Sequence, residues 1–123
     1  MASPCRTVTE RFTLLLSTDV WVGALIRRAE MGGAFAAVAR KGDPRAGAVL
    51  VKAVNRGDGA CRLYAEATGP DGDRIWMQPH ASTDEAALDA YVQRSLRIDP
   101  DLWVVEIEDR QGRHFLTEPV AGE

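Results

Sequence analysis

The 123-residue sequence has few of the residues that build metal centres and disulfide frameworks. It contains two cysteines and two histidines, with no close pair among them. A structural zinc site takes three or four such ligands at defined spacings, so the sequence predicts no metal site. Two isolated cysteines, Cys5 and Cys61, also fit a reduced compartment better than a disulfide framework. We therefore predict a cytoplasmic protein without a metal or other cofactor.

The sequence also lacks long apolar runs, a basic excess and the common catalytic motifs. The longest apolar run near its start, from Phe12 to Leu16, is far too short for a signal peptide or a membrane span. The net charge of −3 at pH 7 argues against nucleic acid as a partner class. There is no Gly-x-Ser-x-Gly or phosphate-binding loop, and Gly57 and Gly59 lack the third glycine of a dinucleotide fingerprint. We expect no membrane partner.

The composition is that of an ordinary globular domain. Hydrophobic residues make up 46% of the chain and charged residues 27%, which argues against disorder. A chain of this length is too short for two independent cores. We predict a flexible polar leader over residues 1–11, a single domain over residues 12–118 and a tail over residues 119–123.

Two segments show the periodicity and end signals of helices. Trp21, Val22 and Leu25 fall at helical spacing, and the pair Gly32-Gly33 ends this first helix. For the second helix, Ser82 and Glu85 match a capping box, with Ser82 as the N-cap. Pro100 fixes its end, because the residue before proline avoids helical geometry.

Five runs show the pattern of β-strands, separated by turns rich in glycine and aspartate. They cover residues 34–39, 48–54, 61–67, 74–78 and 101–109, and residues 114–117 are a possible short edge strand. Short turns between successive strands predict an antiparallel meander. The expected fold is α+β, with a mainly antiparallel sheet of five or six strands and two main helices. Residues 48–54 and 102–105 are apolar on both faces, which indicates helices on both sides of the sheet.

Several of these landmarks resemble one known family. They are Asp19-Val20-Trp21-Val22, Leu25-Ile26-Arg27-Arg28, Gly33-Ala34-Phe35, the run from Arg40 to Val51, Arg94, and the run from Asp99 to Asp109. In order and spacing they resemble the domain-of-unknown-function family numbered 1491, short proteins known from alphaproteobacteria. The resemblance covers roughly residues 12–117. It implies a bacterial cytoplasmic protein, and it carries over no catalytic residue because the family has none assigned.

Charged residues concentrate in the loop from Arg40 to Arg45 and around Pro100. One guanidinium group can donate two parallel hydrogen bonds to the oxygens of a carboxylate or phosphate, so these residues could form a site for an anionic small molecule. The candidate ligand-binding residues are Arg40, Asp43, Arg45, Arg94, Asp99 and Asp101. The alternative is a solvated turn, with Asp99 bonding local backbone amides. Glu106 and Glu108 follow, but no lysine completes the pattern of a metal-dependent nuclease.

Four other side chains are candidates for function. Ile75 and Met77 point to the face of their strand opposite to Trp76, and one of the two faces is expected to be exposed. If it is the Trp76 face, that ring would anchor self-association. Cys61 lies on the apolar side of a strand, which favours a buried, inert thiol over a nucleophile. His80 and His114 lie in loops and are expected to be exposed polar residues.

These observations lead to three functional hypotheses. The first is a non-enzymatic binding or interaction module, which could form a homodimer through Trp76 or an open sheet edge. The second is a small enzyme or sensor for an anionic metabolite, built on Arg40, Arg45, Arg94, Asp99 and Asp101. The third and most distant is nucleic-acid processing. The sequence leaves open whether the protein is an enzyme.

Overall fold

The computed structural model describes residues 16–123, which form two helices and five strands. Their bounds are α1 Thr18–Met31, β1 Phe35–Arg40, β2 Val49–Asn55, β3 Cys61–Thr68, β4 Arg74–Met77, α2 Glu85–Ile98 and β5 Trp103–Asp109. The predicted polar leader, Cys5 and the run from Phe12 to residue 15 lie outside the described residues. In the part that is described, no helix has the length and apolar character needed to cross a membrane.

The five strands form one sheet in the order β1-β5-β2-β3-β4. β5 lies between β1 and β2 and runs parallel to β2, whereas the other neighbouring pairs are antiparallel. The prediction of a mainly antiparallel sheet is therefore wrong, and the sheet is mixed. The reason is the connection through α2, which carries the chain from β4 back to the centre of the sheet, because a parallel pair needs a long crossover. The α+β class with two helices and five strands is confirmed.

A hydrophobic core lies on each face of the sheet, and each contains one helix. On the first face α1 places Trp21, Val22, Leu25 and Ala29 against the inner residues of the strands. On the second face Leu88 and Val92 of α2 pack against side chains of β2, β3 and β5. The prediction that helices cover both faces is confirmed. It rested on the double-sided apolar character of β2 and β5, which are both central strands.

The helix ends follow the predicted chemistry with one shift. Gly32 closes α1, and Gly33 adopts the positive φ of 91° that glycine accepts without strain. The N-cap of α2 is Asp84, whose carboxylate accepts a hydrogen bond from the backbone N–H of Ala87. Ser82 was predicted as this cap, but its hydroxyl instead accepts from the N–H of Asp84. Either residue type satisfies free amides at a helix start, so the capping pattern did not distinguish them.

The segment after β5 does not form the predicted edge strand at residues 114–117. It crosses the α1 face, where the carbonyl of Phe115 accepts a hydrogen bond from Arg28 Nε at 2.8 Å. Residues 119–121, predicted to be a tail outside the domain, run along β4. There Trp76 N donates to the carbonyl of Pro119 and Ala121 N donates to the carbonyl of Trp76. Val120 is buried in the first core.

Candidate functional site

One pocket, which we call the main pocket, has a volume of about 350 Å³ and lies beside α2, on the sheet face that α2 covers. Its lining comes from four elements: Ala39 and Arg40 of β1, Lys52 of β2, Val104 and Glu106 of β5, and Asp89, Val92, Gln93 and Leu96 of α2. It lies beside the cluster in which α2 packs against β2, β3 and β5. The volume lies near the lower end of small-molecule sites, which span roughly 300–1,000 Å³.

A buried lysine forms one wall of this pocket. The Lys52 side chain is only 4% exposed, and its ammonium contacts Glu85 at 2.6 Å and Asp89 at 2.8 Å. A third carboxylate, from Glu106, lies 3.8 Å away. Burial alone would lower the pKa of Lys52, but the hydrogen bonds to Asp89 and Glu85 and the charge of Glu106 raise it well above its ordinary 10.5.

The raised pKa limits the chemistry available to Lys52. A lysine acts as a nucleophile or a general base only when its amine is deprotonated near neutral pH. Lys52 stays protonated there, so it serves as a fixed positive charge. Its two short contacts join the start of α2 to the centre of the sheet.

The loop between β1 and β2 packs directly against the loop between α2 and β5. Asp43 N donates to the carbonyl of Asp101 at 2.9 Å, and Trp103 Nε1 donates to the carbonyl of Asp43 at 2.7 Å. The carboxylate of Asp43 accepts from the N–H of Ala46 within its own loop. The carboxylate of Asp99 accepts from the N–H of Asp101, as the solvated-turn alternative predicts. The sequence did not show whether these loops meet, and the structure brings them together through backbone groups and the Trp103 indole.

The six candidate ligand-binding residues do not share one cavity. Arg40 lines the main pocket, and Asp99 lines a smaller one beside Leu50 and Leu102. Arg45 is exposed in its loop, and the Arg94 guanidinium lies 5.9 Å from the centre of the Tyr91 ring. Arg94 is not among the residues of α2 that line the main pocket. The loop contact therefore involves Asp43 and Asp101, whereas Arg40 faces a separate space.

Trp76, the candidate interface anchor, is fully buried, and the exposure that this role requires is absent. Its ring stacks on Trp21 with 5.4 Å between centroids, and its indole N–H donates to Glu118. Its face of β4 is the one that α1 and the segment around Val120 cover, so Met77 takes the exposed side. A ring in this position offers no surface to a partner.

The remaining candidates have structural contacts. Cys61 is fully buried, as predicted, and burial raises the pKa of its thiol, which disfavours the reactive thiolate. His80 and His114 are half-buried where exposed residues were expected. His80 Nδ1 accepts from the N–H of Ser82, and His114 Nδ1 accepts from the N–H of Leu116. Among residues 16–123, no group of three or more His, Cys, Asp and Glu side chains is placed to hold a metal ion.

The two edges of the sheet differ. The outer edge of β4 is hydrogen-bonded by residues 119–121 on both sides of Trp76. No described segment pairs with the outer edge of β1. Two of its apolar side chains are exposed, Phe35 to 62% and Val38 to 40%. Unpaired strand edges of this kind readily accept another strand.

Sequence reasoning missed the charge cluster around Lys52. Its signal was a lysine within the apolar run from Val49 to Val54, where a charge needs a buried partner. Glu85 and Asp89 are four residues apart, which places both carboxylates on one face of α2. That spacing is visible in the sequence, but the face turned toward Lys52 depends on the tertiary packing.

Comparison with known proteins identifies relatives over most of the chain. Residues 16–117 match the family described as "Protein of unknown function (DUF1491)". The crystal structure of a DUF1491 family protein from Caulobacter crescentus CB15 at 1.87 Å resolution is 74% identical. The match covers 86% of this chain and 99% of that one, with a TM-score of 0.85.

Two solution structures support the same relationship. An NMR structure of a DUF1491 family protein from Caulobacter crescentus CB15 is 73% identical, covers 88% of this chain and 98% of that one, and has a TM-score of 0.82. A protein from A. tumefaciens is 36% identical, with coverage of 85% and 94% and a TM-score of 0.72. None of the curated proteins matches the chain.

Proposed function

The chain belongs to the DUF1491 family, whose function is unknown, and from that premise we propose that it is a non-enzymatic interaction module that pairs with a second copy of itself through β1. The observation that carries the proposal is the difference between the sheet edges. Residues 119–121 occupy the β4 edge, and β1 is left unpaired with Phe35 and Val38 exposed. A C2 dimer is the commonest form of self-association among soluble proteins.

The composition of β1 suits antiparallel self-pairing. Its residues Phe35–Arg40 contain one charge, at the last position. Pairing centred on Ala37 sets Ala36 of one copy opposite Val38 of the other, and both side chains lie on the α1 face beside Ile107 and Val105. Antiparallel pairing also keeps the two Arg40 guanidinium groups at opposite ends of the joint, whereas parallel pairing would set them side by side.

The same geometry limits the assembly to two copies. A two-fold pair uses the β1 edge of both partners, and residues 119–121 already cover the β4 edge of each. Irregular pairing between Val38 and Arg40 against β5 bends the end of β1 and shortens the stretch available for pairing. The result is one continuous ten-stranded sheet that ends at β4 on both sides, and it cannot add further copies to form a fibre.

Two further observations support this function. The fixed protonation of Lys52 and the burial of Cys61 favour binding over covalent catalysis. The free thiol of Cys61 also supports our proposal of a cytoplasmic location.

The test is the mass of the particle in solution, measured by sedimentation or light scattering. We expect the unmodified chain to be a dimer, and both Phe35→Asp and Val38→Lys to give monomers, because a charge at the paired edge must lose water. Met77→Lys is the matched control, since Met77 on β4 is 41% exposed against 40% for Val38. This variant should remain a dimer. A monomeric unmodified chain, or a dimer that persists in both β1 variants, would overturn the proposal.

A further inference from the structure

Two charged side chains of the main pocket make no side-chain hydrogen bond within the described residues. Arg40 is exposed, and within the described chain its guanidinium has no ion pair or hydrogen bond. The carboxylate of Glu106 is half-buried, and its contact with Lys52 at 3.8 Å is too long for a hydrogen bond. Both residues line the pocket. They present one strong donor and one strong acceptor to whatever enters it.

The charge around Lys52 favours a cation next to Glu106. Three carboxylates face one ammonium, so the cluster retains an excess of two negative charges. Glu85 and Asp89 already hold the Lys52 ammonium at short distances. Glu106 therefore has the largest unused capacity to accept hydrogen bonds.

The wall between these charges is apolar. Val92 and Leu96 of α2 and Val104 of β5 line the pocket, and Arg40 is paired in register with Val104 on the β1–β5 ladder. A ligand that fits must carry an anion and a cation at its polar end and an apolar group for this wall.

We infer that the pocket binds a free α-amino acid with an apolar side chain. The carboxylate of the ligand pairs with the Arg40 guanidinium, and its ammonium donates to Glu106 with Asp89 nearby. Its side chain packs on Val92, Leu96 and Val104. The pocket is formed within a single chain, so this inference does not depend on the proposed dimer.

The probes are leucine and two molecules that share its carbon skeleton but lack one charge. The compound 4-methylpentanoate lacks the amine, and 3-methylbutylamine lacks the carboxylate. Titration of the full chain is followed by two-dimensional amide NMR. We expect leucine to shift amide signals of residues 89–96 and 104–106, and each single-charge analogue to bind at least about tenfold more weakly.

Variants assign the two charges. Arg40→Gln and Glu106→Gln should each weaken leucine binding about tenfold, the loss of one charged hydrogen bond. Arg45→Gln removes a nearby exposed guanidinium that does not line the pocket, and it should bind leucine as the unmodified chain does. Amide spectra of the free variants establish that the fold is retained. The inference fails if no free amino acid with an apolar side chain shifts these signals, or if either analogue binds as tightly as leucine.

Discussion

At the scale of single residues, Asp109 connects the end of β5 to the segment that follows it. It is 1% exposed, and its two oxygens accept four hydrogen bonds: from Arg113 Nε and Nη2, and from the backbone N–H groups of Gln111 and Arg113. The side-chain hydrogen bonds from Arg113 outweigh burial and hold the pKa of Asp109 well below its ordinary 3.8. The carboxylate therefore stabilises the folded chain in its charged form.

This contact predicts a pH-dependent loss in the variant Asp109→Asn. Because the folded-state pKa lies below the unfolded value of 3.8, the contribution is complete above that pH and declines as the pH falls toward the folded-state pKa. We expect the variant to lose about 2 kcal/mol of unfolding free energy at pH 7. Urea unfolding should show a smaller difference from the unmodified chain at pH 3. Asp71→Asn, at an exposed turn, is the control and should differ little at either pH.

Two residues show what local pattern can and cannot predict about side chains. The alternation of Ile75, Trp76 and Met77 correctly separated the faces of β4, but it could not say which face is covered. Burial of Trp76 depends on Trp21 and Val120, which are 55 and 44 positions away in sequence. Lys52 is the converse case. The sequence shows that Lys52 lies in an apolar strand, but it does not show that Glu85 and Asp89 of α2 are its partners.

At the scale of elements, the loop between β1 and β2 is fitted closely to the loop before β5. A Cβ atom added at Gly47 would lie 2.4 Å from the carbonyl oxygen of Asp101, and one at Gly42 would lie 2.1 Å from it. The amides at the start of α1 also contact this loop, since Thr18 N donates to the carbonyl of Arg45. The loop thus connects α1 to the β5 side of the sheet.

This packing predicts opposite effects for the same substitution at two glycines. Gly47→Ala should destabilise the chain by about 1–3 kcal/mol, because backbone must move to admit the methyl group. Gly23→Ala lies on the exposed side of α1 with nothing within 4 Å, and it should stabilise by about 0.5–1 kcal/mol through helix propensity. Thermal unfolding of both variants measures the difference. If Gly47→Ala left the stability of the chain unchanged, the two loops would not be held together as they are in the structure.

The elements themselves were largely predictable because their signals are local. The ends of α1 and α2 follow from glycine, proline and capping side chains within a few residues of each end. The prediction of a strand at residues 114–117 was wrong because it too used only local signals. A short apolar run resembles a strand whether or not a partner strand is available. Here residues 119–121 occupy the β4 edge, and residues 114–117 cross the α1 face, where the carbonyl of Phe115 accepts from Arg28.

At the scale of the whole molecule, local sequence patterns did not predict the order of the strands in the sheet. The apolar character of residues 102–105 correctly indicated a strand that is covered on both faces. It did not indicate that β5 separates β1 from β2, because neighbours in sequence usually pair and the sequence gives no competing local signal. β5 is parallel to β2 because the crossover through α2 brings the chain back to the centre of the sheet. That position depends on the packing on both faces of the sheet. The pocket beside α2 follows from the same arrangement.

The two cores share β2 and β5, which predicts that they unfold together. All three tryptophans lie in the α1-side core, so tryptophan fluorescence reports on that face alone. Leu25 on the α1 side and Leu88 on the α2 side are both fully buried. Leu25→Ala and Leu88→Ala should each cost about 2–5 kcal/mol.

The decisive comparison is in the variant Leu88→Ala, whose change lies on the face without tryptophan. If the sheet couples the cores, its urea transition by fluorescence coincides with that by circular dichroism, and both shift by the same free energy. Leu25→Ala, which directly alters the tryptophan side, should behave in the same way. A Leu88→Ala variant whose circular dichroism changes at lower urea than its fluorescence would show that the α2 side unfolds separately. The pocket against α2 would then open independently of the first core.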